Sequence, residues 1–422
     1  MEKPGRNECC PCGSLKKYKR CCMENEQKER IKEEKTILFS AFSVMKDPRD
    51  NRGKRYMLMD LLIMVIYGVL SGYDDFENLA YYLKQKEPYF KKLLLIEKTP
   101  SHDCLSDLFS VINPKEFMDI FVKWISGVVE QKTGAIMAID GKAIRSARDK
   151  INGGNTPYIL SAYLSEIGIS VGQVEVDKKS NEITAIPELL DLLDIEGCYI
   201  TIDAVGTQAS VAVKIVGKRG HYVLNVKNNQ RTLYKDLQSY FNDNIGKSAN
   251  IIMHTTSDKK NHGREEHRQY YISHEIGCIT HKAKWGTVSS IGMVRVFRSV
   301  NGIMEINDHY YIMDTEISME MFIKTTRNHW NIECGLHWRL DVILNEDRSR
   351  NRAGHSVSNL SIIRKIVFNL VRLDTSFGKI SFEKKMTRYK VDFDNIYNLT
   401  RELKLQAPNP IKGLGKSPGA VN

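Results

Sequence analysis

Ala135–Lys142 reads AIMAIDGK, an apolar run of strand composition that stops on Asp140 and Gly141, and this stretch decides the fold. Upstream of it, from Ile37 to about Lys132, apolar residues recur at helical spacing in LLIMVIYGVL, FENLAYYLK, CLSDLFSVI and FMDIFVKWISGVVE, with Pro100 and Pro114 as punctuation. Downstream the period changes. YILSAYLSE and ISVGQVEVD have strand composition and turn back at Ile167 and Gly168, AIPELLDLLD (Ala185–Asp194) is helical, and CYITIDAV carries a further apolar strand to Asp203. TQASVAVKIVGK is helix-like, and HYVLNVK (His221–Lys227) returns to strand.

The succession is three strands, helix, strand, helix, strand, which is the ribonuclease H order. It predicts an α/β fold: a ribonuclease H-like mixed sheet flanked by helices, with Asp140 on the first strand and Asp203 at the end of the fourth. RQYYISHEI, SSIGMVRVFRSV and EINDHYYIMD then predict a β-rich insertion over about 229–315, before helical spacing resumes at Ser318–Ile343. The expected organisation is a cysteine module at 1–23, a charged linker at 24–36, an all-helical domain at 37–132, the α/β domain at 133–375 and a carboxy-terminal extension at 376–422. Gly and Pro in KLQAPNPIKGLGKSPGAVN predict that part of this extension is disordered.

Two strands that each end in Ile-Asp can lie side by side and present Asp140 and Asp203 at one sheet edge. Glu333, on a helix crossing that edge, would complete a three-carboxylate site. Mg²⁺ (or Mn²⁺) takes oxygen ligands and keeps substrate phosphate in its shell, so three acids suffice for two ions. Singly, each acid also reads as an ordinary turn or helix residue. His329, Glu333 and His337, four apart on one helix face with Trp330, admit a zinc reading as well, but they do not match the His-Glu-x-x-His spacing and would leave the two Asp strands unexplained.

The chain of 422 residues is 42% hydrophobic and 27% charged, which excludes a disordered or fibrous protein. A formal charge of +11 favours an anionic partner such as nucleic acid or a membrane surface. The longest apolar stretch, Met57–Leu70, contains Asp60 and falls short of the roughly 20 residues a membrane span needs. MEKPGRNECC lacks the apolar core of a signal peptide, so the expected compartment is the reducing cytoplasm, and the nine cysteines call for something other than disulfides. Five of them fall at Cys9, Cys10, Cys12, Cys21 and Cys22. Cys10, Cys12, Cys21 and Cys22 have spacing suited to one tetrahedral Zn²⁺, which would fold a segment too short to own a core.

Four stretches carry a family resemblance: DPRDNRGKRYMLMDLLIMVIYGVLSGYDDFENLAYY, AIDGKAIRSA, TIDAVGTQASVAVKIVGKRGHYVLNVKNNQ and RNHWNIECGLHWRLDVILNEDRSRNR, with a weaker fifth, HGREEHR. Over about Phe39–Arg372 the chain resembles the H-repeat-associated insertion-sequence transposases, a branch of the DDE transposases. The resemblance implies Asp140, Asp203 and Glu333 as the metal triad, Mg²⁺ as cofactor, and cutting and joining of double-stranded DNA at element ends. Where the wider superfamily has Arg four residues before the glutamate and Lys seven after, this chain has His329 and Leu340. Candidates for the DNA contacts are therefore Lys142, Arg145, Lys227, Gln230, His329, Trp330, His337, Arg339 and Arg348, with Arg350 and Arg352 nearby; a solvated basic surface is the alternative for each. GRNECCPCGSLKKYKRCC in turn resembles the SEC-C motif, with Cys9 where that family commonly has Pro.

Three functions fit these residues: a transposase acting as a dimer that synapses two element ends, a ribonuclease H-like nuclease without strand transfer, and a DNA-binding relative that has lost catalysis. The triad alone does not separate the first two, because both use the same metals.

Overall fold

Residues 8–18, 21–22, 41–50, 52, 54–94, 96–129, 133–148, 156–176, 182–260, 264–300 and 303–402 are described by a computed structural model of the chain. The expected charged linker at 24–36 and the Gly- and Pro-rich tail lie outside the described residues. Two units make up the protein: Met1–Glu130 with Arg145–Gly154 and Leu340–Asn422, and Gln131–Ile144 with Asn155–Arg339.

The first unit is helical. Its helices are α1 (Leu58–Leu70), α2 (Phe76–Gln85), α3 (Glu87–Leu93), α4 (His102–Val111) and α5 (Pro114–Val128), joined from the far end of the chain by α11 (Ser356–Leu373), α12 (Phe382–Val391) and α13 (Phe393–Glu402). Local chemistry sets several starts: Asp75 accepts from the Asn78 N–H, Ser101 from that of Cys104, and Asn113 caps α5 with Pro114 in its first turn. α1 and α11 pack together, and both are buried almost all round, which marks them as the core of this unit. The polar groups of α11 find backbone partners: Asn359 donates to the carbonyls of Phe109 and Ile112, and Arg364 to those of Leu344 and Asp74. α13 is tied to α1 by a 2.7 Å hydrogen bond between the Tyr67 and Thr400 hydroxyls.

The second unit is built on one nine-stranded mixed sheet, ordered β3-β2-β1-β4-β5-β9-β8-β7-β6. β1 (Ile136–Ala143), β2 (Tyr158–Leu164) and β3 (Ile169–Glu175) run antiparallel in turn, whereas β4 (Tyr199–Ile202) pairs parallel with β1 and β5 (His221–Val226) parallel with β4. Parallel strands buried on both faces favour apolar runs: Ile136–Ile139 supplies one, and Ile200 and Ile202 flank the buried Thr201 in β4. α6 (Glu182–Leu192) packs on β2 and β3, and α7 (Ala209–Gly217) on β5.

The insertion does not form a separate sheet. It opens with α8 (Arg231–Asn244), whose buried Leu233, Leu237 and Phe241 sit four residues apart on one face. β6 (Ile251–Lys260), β7 (Arg264–Ser273), β8 (Ser290–Val300) and β9 (Ile303–Met313) then form an antiparallel meander, and β9 pairs with β5, Leu224 opposite Ile312. The three strand-like runs read from sequence are β7, β8 and β9. α8 and β6 leave a weaker signal, because α8 is rich in polar residues and β6, an edge strand exposed along much of its length, shows little apolar alternation.

α9 (Met319–Asn328) lies across β1, β4, β5 and β7, with Phe322 fully buried among Val223, Tyr270, Ile272, Val294 and Met313. Helical structure resumes at Asn331, passes through a π-helical turn at Glu333–His337 and continues as α10 (Trp338–Val342). Ser318 caps the start of α9 by accepting from the Met321 N–H.

Candidate active site

The register of β1 against β4 sets Ile139 opposite Ile202, so Asp140 and Asp203 are the next residues on neighbouring parallel strands. Such strands lie about 4.8 Å apart. Asp140 is mostly enclosed, its side chain 22% exposed. Burial drives its carboxyl from the ordinary range up to about 7, and the charges of Asp203, Glu333 and Glu182 push the same way, against a hydrogen bond from the Gly141 N–H. Asp203 does double service. Its Oδ1 accepts from the N–H groups of Val205 (3.0 Å) and Gly206 (3.3 Å), capping a short 3₁₀ turn, while Oδ2 takes no part in those bonds.

Glu333 is exposed at the first position of the π-helical turn, and His337 at its last is buried. His337 Nδ1 stands 3.4 Å from Asp140 Oδ2, so helix and sheet edge meet through this pair. His329 bonds through Nδ1 to Thr201 Oγ1 at 3.0 Å, and burial lowers its pKa against the opposing pull of Asp203. Trp330, 57% exposed, sets its ring edgewise to His329.

The structure gives two of the expected DNA contacts an internal task. Gln230 is buried, donates to Thr207 O and Gln208 Oε1 (both 3.0 Å) and accepts from Lys284, so it braces the loop after Asp203. Arg339 Nη1 donates to the carbonyls of Cys334 (3.0 Å) and Gly335 (2.8 Å). Lys142 lies half-buried on β1, and Lys227 is close enough to His329 to help depress its pKa. Arg145 and Arg348 belong to the helical unit, both exposed, on two short turns joined by the Arg145 N–H donating to Asp347 Oδ1 at 2.6 Å. Arg350 and Arg352 are exposed as well, and Arg352 Nη2 donates to Ser146 O.

Glu182 and Tyr158 join the site although the sequence reading does not single them out. Burial raises the Tyr158 phenol above its usual range, followed by its hydrogen bond to Glu182 and the charges of Glu182, Asp140 and Asp203. Its ring lies where a side chain at 141 would begin, since a Cβ on Gly141 would stand 2.1 Å from Tyr158 Cε1. Gly141, within AIDGK, is the signal that could have pointed to a bulky neighbour beside Asp140.

In the amino-terminal segment the Sγ atoms of Cys10, Cys12, Cys21 and Cys22 all lie within 4.8 Å of one another, and Cys9 is outside the set. Cys12 and Cys21 are 3.4 Å apart, and Ser14 Oγ is 3.0 Å from Cys21 Sγ. The Ser14 hydroxyl, with Cys10 next, lowers the Cys12 thiol to about 6, while Cys10 and Cys12 push that of Cys22 up. Thiols crowded in this way, one of them readily ionised, suit a thiophilic cation.

Comparison with known families matches residues 132–370 to the transposase DDE domain, 39–125 to the DDE_Tnp_1-associated domain and 6–24 to the SEC-C motif. The chain belongs to the DDE transposase family. Among its relatives in Escherichia coli K12, YbfL is 33% identical over 84% of this chain and 95% of its own length. YhhI, named as an H repeat-associated transposase, is 32% identical over the same shares. YncI of Escherichia coli O157:H7, named as a transposase, is 34% identical over 79% of this chain and 87% of its own. Among the described residues of this transposase no helix is long and apolar enough to cross a membrane.

Proposed function

We propose that this transposase is that of an insertion sequence, that it cuts DNA at terminal inverted repeats and joins the freed ends to target DNA, and that Asp140, Asp203 and Glu333 are its catalytic metal ligands. The observation that carries the proposal is the burden on Asp140: burial first, and then the charges of Asp203 at the end of β4 and Glu333 on the helical run after α9, raise its carboxyl at the sheet edge. Carboxylates gathered in this way repel each other unless a cation lies among them, and oxygen donors are those that Mg²⁺ or Mn²⁺ prefers. The chemistry such ions supply when bound is activation of an attacking water or 3′ hydroxyl and stabilisation of the leaving oxygen. The strand order β3-β2-β1-β4-β5, with the first three antiparallel and the next two parallel to β1, supports a ribonuclease H-like core.

The protein's own groups do the orienting. The sheet register fixes Asp140 and Asp203, the turn N–H groups hold one oxygen of Asp203, and His337 steadies Oδ2 of Asp140. His329, kept toward its neutral form by burial, adds no charge to repel a cation beside Asp203. Lys142, Lys227, Arg145 and Arg348 contact phosphates and Trp330 a base or sugar, in a cytoplasmic dimer that holds two ends. Cys10, Cys12, Cys21 and Cys22 take one Zn²⁺, which folds the amino-terminal module.

The test is Mg²⁺-dependent cleavage and strand transfer on DNA carrying the inverted repeats that flank the gene. Asp140→Ala, Asp203→Ala and Glu333→Ala should each abolish both reactions, and undiminished cleavage by any one would remove it from the triad. Hydrolysis without joining would favour a nuclease. Metal analysis should find one zinc per chain, lost in the double variant Cys12→Ser/Cys21→Ser; retention there would sink the zinc assignment.

A further inference from the structure

We propose that Arg339 is a positioning residue: its guanidinium holds open the π-helical turn Glu333–His337, and that turn sets where Glu333 and His337 stand against Asp140. The inference rests on the reading of Asp140 and Glu333 as partners in one site.

A π-helical turn packs one residue more than an α-helical turn; such turns are rare and frequently found at functional sites. The Trp338 N–H, which in an α-helix would bond to the carbonyl of Cys334, bonds instead to that of Glu333, five residues back. The Cys334 carbonyl thereby loses its ordinary donor. Arg339 supplies one from its side chain at 3.0 Å and reaches the Gly335 carbonyl at 2.8 Å with the same nitrogen. One cation therefore spans two consecutive carbonyls of the widened turn, and bonds of this charge-assisted kind are stronger than neutral ones.

The turn is also closely packed against the sheet. A Cβ on Gly335 would stand 2.5 Å from Tyr163 Oη on β2, so only glycine lets the backbone come this near. The buried His337 then reaches Asp140 Oδ2 at 3.4 Å. Closing the turn to α-helix would draw its extra residue into the regular spiral, shifting the helix beyond it by about 1.5 Å and rotating it by about 100° relative to the helix before it. Glu333 and His337 could not then both keep their places beside Asp140, which the sheet holds fixed.

This role differs from phosphate contact in its predicted consequences. In the full-length protein, Arg339→Met should speed amide exchange across residues 334–340 about tenfold and leave α9 unchanged, with Arg339→Lys in between. On end DNA, Arg339→Met should keep wild-type affinity and salt dependence but cleave about 100-fold more slowly at saturating DNA, with partial rescue by Arg339→Lys. Gly335→Ala, which alters no charge, should lose cleavage in the same way. Unchanged exchange in Arg339→Met overturns the proposal, and so does full activity of Gly335→Ala. A salt slope reduced by about one with cleavage restored at saturating DNA would make Arg339 a phosphate contact instead. Failure of the transposase reading shows itself separately, as wild-type protein that neither binds nor cuts end DNA, and the exchange comparison still decides the role of Arg339.

Discussion

The sheet edge and the helical run that meet at Asp140 are held by opposite means. On the sheet side, backbone pairing of β1 with β4 places Asp140 and Asp203, and no side chain is needed to bring them together. On the helix side, Glu333 stands exposed at the head of an irregular turn, and side chains do the holding: Phe322 in the sheet core, His337 against Asp140, Arg339 on the turn's carbonyls. Positions set by a ladder of backbone bonds tolerate change around them, whereas positions set by a few side chains depend on each one. The third acid should therefore be the adjustable member of the site.

The largest effect expected is on catalysis by the acids themselves. Asp203→Ala and Asp140→Ala should lower end cleavage by at least on the order of a hundred- to a thousandfold, the range seen when a group stabilising charge in the transition state is removed. The comparison is sharpened by the conservative changes. Glu333→Asp, on the adjustable side, should retain measurable activity, while Asp140→Glu and Asp203→Glu, on the rigid side, should not. Equal loss in all three would break the contrast.

Next comes stability, where Asp140 should act against the fold. Its carboxyl is held at about 7, above the ordinary carboxylate range, so the folded protein binds this proton more tightly than the unfolded chain does. The acid then costs nothing below about pH 4, where both states are protonated, and its cost grows as pH rises toward 7 and levels off beyond. Asp140→Asn in metal-free protein should raise stability by roughly 2–4 kcal/mol at pH 8, with the gain shrinking toward pH 4 and Mg²⁺ reducing it. Denaturant melts across that pH range check it; no gain at pH 8 would mean that neither burial nor the neighbouring acids weigh on Asp140.

Legibility in the sequence divides along the same line. AIMAIDGK and CYITIDAV show two buried strands ending in acids because parallel central strands favour largely apolar runs, and the alternation of helix and strand between them orders the sheet. HWNIECGLHW shows a helix with Glu333 on it but not the π-helical turn, since a one-residue irregularity depends on a carbonyl-capping arginine and a close backbone approach at Gly335, which no local periodicity reveals. Glu182 is invisible for a similar reason: it opens α6, which packs beside the turn after Asp203, and only the tertiary fold brings it near Asp140. The cysteine spacing singles out Cys10, Cys12, Cys21 and Cys22, the same four whose sulfurs converge. The return of α11–α13 to the amino-terminal helices rests on contacts across some 250 residues, such as Asn359 with Phe109 and Ile112, and leaves no local trace.

Smaller effects should separate orienting from binding on the helix side. Thr201→Val removes the partner of His329 Nδ1 while preserving the shape of β4, and should slow cleavage about tenfold, in keeping with a hydrogen bond worth about 1.4 kcal/mol, with DNA affinity unchanged. An affinity loss instead would make His329 a DNA contact.

Trp330 should give the smallest change and the opposite pattern. More than half of its surface is open, at 57%, so Trp330→Ala removes little packing and should leave the melting temperature nearly unaltered. As a proposed stacking contact with a base or sugar, the ring once lost should weaken end binding by about 1 kcal/mol, or roughly fivefold, with cleavage at saturating DNA preserved. Fluorescence anisotropy with end DNA measures the first and single-turnover cleavage the second. If Trp330→Ala instead slowed the single turnover and bound normally, the ring would belong with His337 and Arg339 among the groups that position Glu333, and the helix side would be an orienting device along its whole length.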